Sequence, residues 1–149
     1  MCMTEKLFHY IWQFQYFQKG SLHTISGEEV SIIFQGTLNK NQGPDFLNAK
    51  IKIGATIFAG SVELHLLASD WLKHGHQTDP NYNNVILHVV FENDAQATPS
   101  IPVLELKNNI PKLLLEEYGR FMGSASFIPC ENSIHSIKEI TWLAWKDRL

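Results

Sequence analysis

Phe46-Leu47-Asn48-Ala49-Lys50-Ile51-Lys52-Ile53 changes character residue by residue, breaks at Gly54-Ala55, and is followed by the long stretch Thr56 to Leu67. Successive side chains of an extended chain point to opposite faces. Leu47, Ala49, Ile51 and Ile53 therefore read as one buried face, and Asn48, Lys50 and Lys52 as the other. Gly54 suits a tight turn, so the two segments are expected to pair as an antiparallel hairpin. Gly60 marks a bulge or a close backbone approach in the returning strand. Two registers are open. A two-residue loop, Gly54-Ala55, sets Asp45 opposite Leu64 and throws Asp45 and Glu63 to opposite sides. A three-residue loop, or a bulge at Gly60, sets Asp45 opposite His65 and brings Asp45, Glu63 and His65 to one face.

Working outward, Thr4 is an N-cap for a helix expected from Glu5 to Gln18, with Leu7, Phe8, Ile11, Trp12, Phe14 and Phe17 forming a wide apolar stripe and Gly20 ending it. Val30 to Phe34 reads as a strand, and Gly36 to Gly43 as a polar loop closed by Pro44. Ser69-Asp70 opens a short helical turn with Trp71 and Leu72. A polar loop then leads to Val85-Ile86-Leu87-His88-Val89-Val90-Phe91. That run is apolar on both faces, which a central, covered strand requires. Ile101 to Leu106 gives a further strand at an edge that tolerates Pro102. Pro111 opens a helix from Lys112 to Tyr118, Ser124 to Ser133 reads as loop, and a last helix starts at Glu139. Helices set apart from a strand meander indicate α+β: an N-terminal helix and a mixed four- or five-stranded sheet flanked by helices. Residues 1–122 read as one core domain. Residues 123–149 read as a loop and the start of a C-terminal helix without a stop signal, as expected of a piece of a longer protein. The unmatched apolar residues of that helix suggest a homodimer.

The 149 residues are 44% hydrophobic and 18% charged, a globular composition. A formal net charge of −3 gives no overall pull toward nucleic acid or anionic lipid, although a local basic patch is compatible with it. No apolar run approaches the roughly 20 residues that span a bilayer, so no membrane association is expected. Two cysteines, Cys2 and Cys130, make no disulfide framework and no zinc spacing, and the expected compartment is the cytoplasm.

Three features carry chemistry: Gly43-Pro44-Asp45-Phe46, a carboxylate at a strand mouth; Val62-Glu63-Leu64-His65, a carboxylate and an imidazole on one strand face; and a set of histidines, His74 and His76 in the polar loop and His88 in the central strand. Asp45 and Glu63 on one hairpin can converge on a hard cation, Mg²⁺ or Mn²⁺, which phosphodiester chemistry uses. His65, two residues beyond Glu63, then stands beside the attacking water, and His88 is a further candidate ligand. Asn39, Lys50, His74 and His76 are candidates for binding substrate, Lys50 with Lys52 through phosphate. Each residue has a plainer role: Asp45 as a turn residue, Glu63 in an ion pair with His65 or Lys50, His88 as a hydrogen-bonded core histidine, Lys50 and Lys52 as a solvated face. A zinc site from His65, His74, His76 and His88 is a further alternative.

Pro44-Asp45 with Glu63-Leu64-His65 resembles the motif of the PD-(D/E)xK nuclease superfamily, with His65 in the place of the lysine. That resemblance implies a restriction-endonuclease-like core of helix, three-strand meander, helix and strand, a divalent ion, and nucleic acid as the partner. The departure at His65 bears on the group that orients water. A longer string resembles a bacterial family of domains of unknown function whose members exceed this chain in length. It runs from Gly36, Asn39 and Gly43-Pro44-Asp45-Phe46 through Ala59-Gly60-Ser61-Val62-Glu63-Leu64-His65, Ser69-Asp70-Trp71, His74-Gly75-His76, Asp79 and Tyr82 to Asn84-Val85-Ile86-Leu87-His88-Val89-Val90. The resulting expectation is a divergent metal-dependent nuclease-like domain. The alternatives are a non-catalytic scaffold or interaction domain of a larger protein, and a zinc hydrolase built on the histidines.

Overall fold

The hairpin around Gly54 lies at the heart of a six-stranded mixed sheet. The computed structural model of the chain describes residues 3–95, 101–123 and 135–146. Helix α1 (Glu5–Phe14) is followed by β1 (Val30–Phe34), β2 (Thr37–Leu38), β3 (Phe46–Ile53), β4 (Thr56–Leu67), α2 (Asp70–Lys73), two short 3₁₀ turns (His76–Thr78 and Pro80–Tyr82), β5 (Val85–Glu92) and β6 (Val103–Glu105). The strands run in the order β1-β3-β4-β5-β6, and β2 pairs with β3 beyond the end of β1. β1, β2 and β4 pair antiparallel to β3, whereas β5 runs parallel to β4 and β6 parallel to β5. The chain is therefore α+β. β5, apolar on both faces, is interior as its composition requires, with Leu87, His88, Val89 and Val90 all fully buried. The short strand β2 falls inside the segment read as polar loop.

Two compact units make up the chain, residues 2–111 and 112–149. In the second unit, α3 (Lys112–Met122) extends a turn past the expected Tyr118, and α4 (Glu139–Lys146) exposes Ile140 and Leu143. The loop expected from Ser124 to Ser133 lies outside the described residues, as do Cys2, Cys130 and Leu149. No described helix is long and apolar enough to cross a membrane.

In the first unit, α1 buries Leu7, Phe8, Ile11 and Trp12 of the expected stripe, whereas Phe14 is exposed and the buried Phe17 lies beyond the helix. Thr4 caps its start by accepting from the Leu7 N–H. The helix ends at Phe14, short of the expected Gln18. Gln15 takes a left-handed conformation (φ 55°), its N–H donates to Trp12 O, and the Tyr16 N–H donates to Ile11 O. A glycine normally holds that position. Here the Gln15 side chain is tied to the sheet instead: its Nε2 donates to Gln35 Oε1, and Gln35 Nε2 donates back to Gln13 O. Tertiary hydrogen bonds override the weak local preference for continuing the helix.

The hairpin turn is the two-residue one, with Ile53 paired to Thr56 and Ala49 to Gly60. Beyond Ala49 the register slips by one, because Phe46 pairs with Val62. Leu47 and Asn48 thus face Ser61 together, a β-bulge in which Asn48 adopts φ 59°. The bulge lies in β3 and not at Gly60, and it changes which residues point inward. Phe46, Ala49, Ile51 and Ile53 are buried, whereas Leu47, expected on that face, is half-buried. Gly60 is a close-approach point: a Cβ there would lie 2.5 Å from both Asn84 O and Ile86 Cγ2. This contact brings β5 against β4, where the Ser61 N–H donates to Asn84 O. Gly60→Ala should therefore lower stability by about 2 kcal/mol or more in denaturant melts. Gly20→Ala, with nothing within 4 Å of the added carbon, should stay within about 0.5 kcal/mol of wild type. Equal melts for the two variants would contradict the close packing of β4 on β5.

Candidate metal centre

Alternation along β4 sends Glu63 and His65 to one face and Val62 and Leu64 to the other. The parallel register of β5 puts His88 beside Glu63 on the same face. The segment after β4 then covers that face. α2 buries Trp71 against it, and the turn at Gly75 (φ 74°) brings His74 and His76 back over β4. Trp71 packs its ring at 5.1 Å from that of His88 and 5.3 Å from that of His76. Tyr82 stacks on His76 with ring centroids 3.8 Å apart. The aromatic rings thus fix His76 from two directions.

Four imidazoles and two carboxylates converge. His65 Nε2 lies 3.1 Å from His74 Nδ1, and His65 Nδ1 lies 2.9 Å from His88 Nε2. Glu63 Oε1 lies 3.6 Å from His65 Nε2 and 3.4 Å from His76 Nε2. One ligand atom from each of His65, His74 and His76 falls within 4.8 Å of the other two. His76 Nε2 is buried with no hydrogen-bond partner, as is His88 Nδ1. His65 is buried, His76 half-buried and His74 exposed, so the cluster opens to solvent on the His74 side.

Asp45 stands next to Glu63 through the backbone. Its N–H donates to Glu63 Oε2 (3.0 Å), and its Oδ2 accepts from the Leu64 N–H (2.9 Å). His9 of α1, which the sequence did not single out, places Nε2 3.2 Å from the same Oδ2. Burial pulls the His9 pKa down, but the hydrogen bond and charge of Asp45 outweigh it and hold His9 above its ordinary value.

Glu63, His65, His76, His88 and Tyr82 are driven toward neutrality. Burial, followed by the charge of Asp45, pushes the Glu63 carboxyl up to about 8. Burial, followed by the neighbouring His76 and His74, lowers His65 to about 4. Burial and then His65 lower His88 to about 3. Burial lowers His76 as well, and it raises Tyr82 to about 12, with Glu63 adding to the rise. Across their 3.6 Å contact, burial thus favours the uncharged form of both Glu63 and His65. Neutral imidazoles offer the lone pairs that metal ligation needs.

Among the other residues read as site candidates, Asn39 organises its own loop. Its Nδ2 donates to Gln42 O and Pro44 O, and its Oδ1 accepts from the Asn41 N–H. Lys50 and Lys52 lie on the exposed face of β3, apart from the cluster. Asp45, Glu63, His65, His74, His76 and His88 are brought together. His9 and Tyr82 join them from segments whose local patterns read as an amphipathic helix and a polar loop.

Fold and cluster define an α+β domain with a histidine-rich, partly open polar site. The chain belongs to the family described as protein of unknown function, DUF2851, whose profile matches residues 5–149. This bears out the kinship read from the GPDF, VELH and SDW strings. No curated protein matches the chain, and no solved structure does.

The bulge at Leu47-Asn48 is what sets Asp45 beside Glu63, since an unbroken register would set Asp45 opposite Leu64. Asn tolerates positive φ better than other non-glycine residues, and a β-branched side chain does not. Asn48→Val should cost about 1–2 kcal/mol of stability, whereas Asn48→Gly should stay within about 0.5 kcal/mol of wild type. Thermal melts that rank Val at or above Gly would contradict a left-handed residue at this bulge.

Proposed function

We propose that the chain is a metal-dependent hydrolase. His65, His74 and His76 hold a zinc-like ion, and Glu63 accepts the proton of the attacking water. The observation that carries this reading is the convergence of the three imidazole nitrogens around one point with Glu63 Oε1 beside them. Ligand atoms on a tetrahedral zinc, with bonds of about 2.0–2.2 Å, stand about 3.3–3.6 Å apart. His65 Nε2 and His74 Nδ1, 3.1 Å apart, are close to that spacing, and the three imidazole ligand atoms all lie within 4.8 Å of one another, so a modest adjustment would seat the ion. His76 Nε2 supports it, because it is buried with no hydrogen bond, only the 3.4 Å contact to Glu63 Oε1, and such a nitrogen is costly unless something binds it. Three imidazoles favour zinc or a neighbouring late first-row ion over magnesium.

Three protein ligands and an open side are the arrangement of catalytic zinc, in which the ion makes bound water acidic and polarises the substrate. The chain's own residues supply the rest. Asp45 fixes the Glu63 carboxylate through its N–H, leaving Oε1 toward the histidines. The water oxygen bonds to the electrophilic centre, its proton passes to Glu63, and the bond to the leaving group breaks as that proton is delivered to it. His88, against His65 Nδ1, orients the His65 ring in the way that outer hydrogen bonds orient metal-bound imidazoles.

A carboxylate-centred Mg²⁺ or Mn²⁺ site, with nucleic acid as substrate, would have to use Asp45 Oδ1 and Glu63 Oε1, because Asp45 Oδ2 accepts from the Leu64 N–H and lies against His9, and Glu63 Oε2 accepts from the Asp45 N–H. The three converging imidazoles favour the zinc hydrolase reading.

The test pairs metal content with turnover. Wild type reconstituted with zinc should hold about one ion per chain. It should hydrolyse at least one of a p-nitrophenyl ester, a p-nitroanilide or a bis-p-nitrophenyl phosphodiester in a chelator-sensitive way. Glu63→Gln should keep the zinc and lose on the order of 100-fold in rate, and His65→Ala with His76→Ala should lose both. Loss of zinc in Glu63→Gln would remove its role as base. Equal turnover in wild type and the double variant would overturn the hydrolase.

A further inference from the structure

A cavity of about 290 Å³ opens beside His76, walled by Trp71, Leu72, Tyr82 and Val85, with Gln77 and Asn83 at its polar side. His76 belongs both to this wall and to the histidine cluster, so whatever occupies the cavity lies next to the centre. Among the described residues lining it there is no Lys, Arg, Asp or Glu. Nearby charge is negative or already paired. Asp79 caps the Pro80–Tyr82 turn by accepting from the Asn81 N–H, and Lys73 is held by Asp70 at 2.7 Å.

Those walls select by chemistry. A phosphate entering the cavity would shed water and find no cation among the lining side chains to replace it, the ion of the proposed centre lying beyond His76. An aromatic ring exchanges water for Trp71, Tyr82 and aliphatic surface, and gains in every contact. The carboxamides of Gln77 and Asn83 each offer donors and an acceptor, matched by an amide or similar group on the ring's edge. The volume suits one substituted ring, since an apolar cavity of about 150 Å³ holds benzene alone. We propose that this cavity is the substrate pocket of the centre and takes an uncharged aromatic ring carrying an amide-like group. This assignment rests on the hydrolase reading for its role, and the bond it points to is a neutral carboxylic ester or amide joined to that ring. Water then adds its hydroxyl to the carbonyl carbon, and the alcohol or amine leaves with the remaining proton.

Benzamide and phenyl phosphate are the probes, titrated into the full chain by ligand-observed NMR, with and without zinc. Benzamide should bind zinc-free wild type at least tenfold more tightly than phenyl phosphate. Leu72→Glu, at an exposed position on the rim, should weaken benzamide at least tenfold. Asn83→Arg, also exposed, should raise phenyl phosphate binding at least tenfold by adding the missing cation. Lys50→Ala, on the exposed face of β3 apart from the cluster, should leave zinc-free benzamide binding within twofold. Failure of zinc binding with benzamide binding intact would sink the hydrolase and leave the pocket. Benzamide that fails to bind, or is indifferent to Leu72→Glu, would overturn the pocket. Phenyl phosphate that binds as tightly as benzamide would overturn the neutral class.

Discussion

The reciprocal pair of hydrogen bonds between Asp45 and the Glu63-Leu64 stretch is the constraint on which the site depends. One runs from the Asp45 N–H to Glu63 Oε2, the other from the Leu64 N–H to Asp45 Oδ2. Each satisfies a buried polar group that would otherwise be costly, and together they lock the mouth of β3 onto β4. They exist only because the bulge at Leu47-Asn48 moves the register by one residue. A single left-handed asparagine therefore decides whether two carboxylates meet or point apart. With Glu63 Oε2 held, Oε1 is left facing His65 and His76, and the histidines gather on the same side.

Gathering four imidazoles in a buried place runs against ordinary protein electrostatics. Burial and the neighbouring imidazoles lower the basicity of His65, His76 and His88, which favours their uncharged forms. A cluster of imidazole lone pairs beside the Glu63 carboxyl is a poor structural element, since His76 Nε2 and His88 Nδ1 are buried without a hydrogen bond. Elsewhere in the same unit polar groups are met: Trp12 Nε1 donates to Gln35 O, and Asp94 accepts from both the N–H and the hydroxyl of Ser69. The shortfall is local to the site, which is where a fold that otherwise satisfies its groups concentrates functional strain.

Much of the fold was legible because it rests on periodicity. The alternation from Phe46 to Ile53, the two-faced apolar run in β5 and the stripe of α1 each specify an element by spacing alone, and each appears where expected. What escaped depends on contacts across the chain. Helix α1 stops at Phe14 because Gln15 and Gln35 hold each other, which no local signal announces. Strand β2 is two residues long, too short for any period. The bulge at Asn48 was open to sequence reading only as a choice of registers, and it fell at a place not considered. Within the site, Glu63 and the histidines stood out because ionisable residues in apolar strands are costly. His9 did not, since on a helix it reads as one polar position among several, and only the packing of α1 brings it to Asp45.

In the proposed centre the three imidazoles are the ligands and Asp45 lies outside the shell. X-ray absorption at the zinc edge of the reconstituted full chain tests this directly. The prediction is a four-coordinate ion with the multiple-scattering signature of three imidazoles and bonds of about 2.0–2.1 Å to nitrogen, falling to two imidazoles in His76→Ala and unchanged in Asp45→Asn. A shell of oxygen ligands alone, or one that loses a ligand in Asp45→Asn and none in His76→Ala, would contradict it.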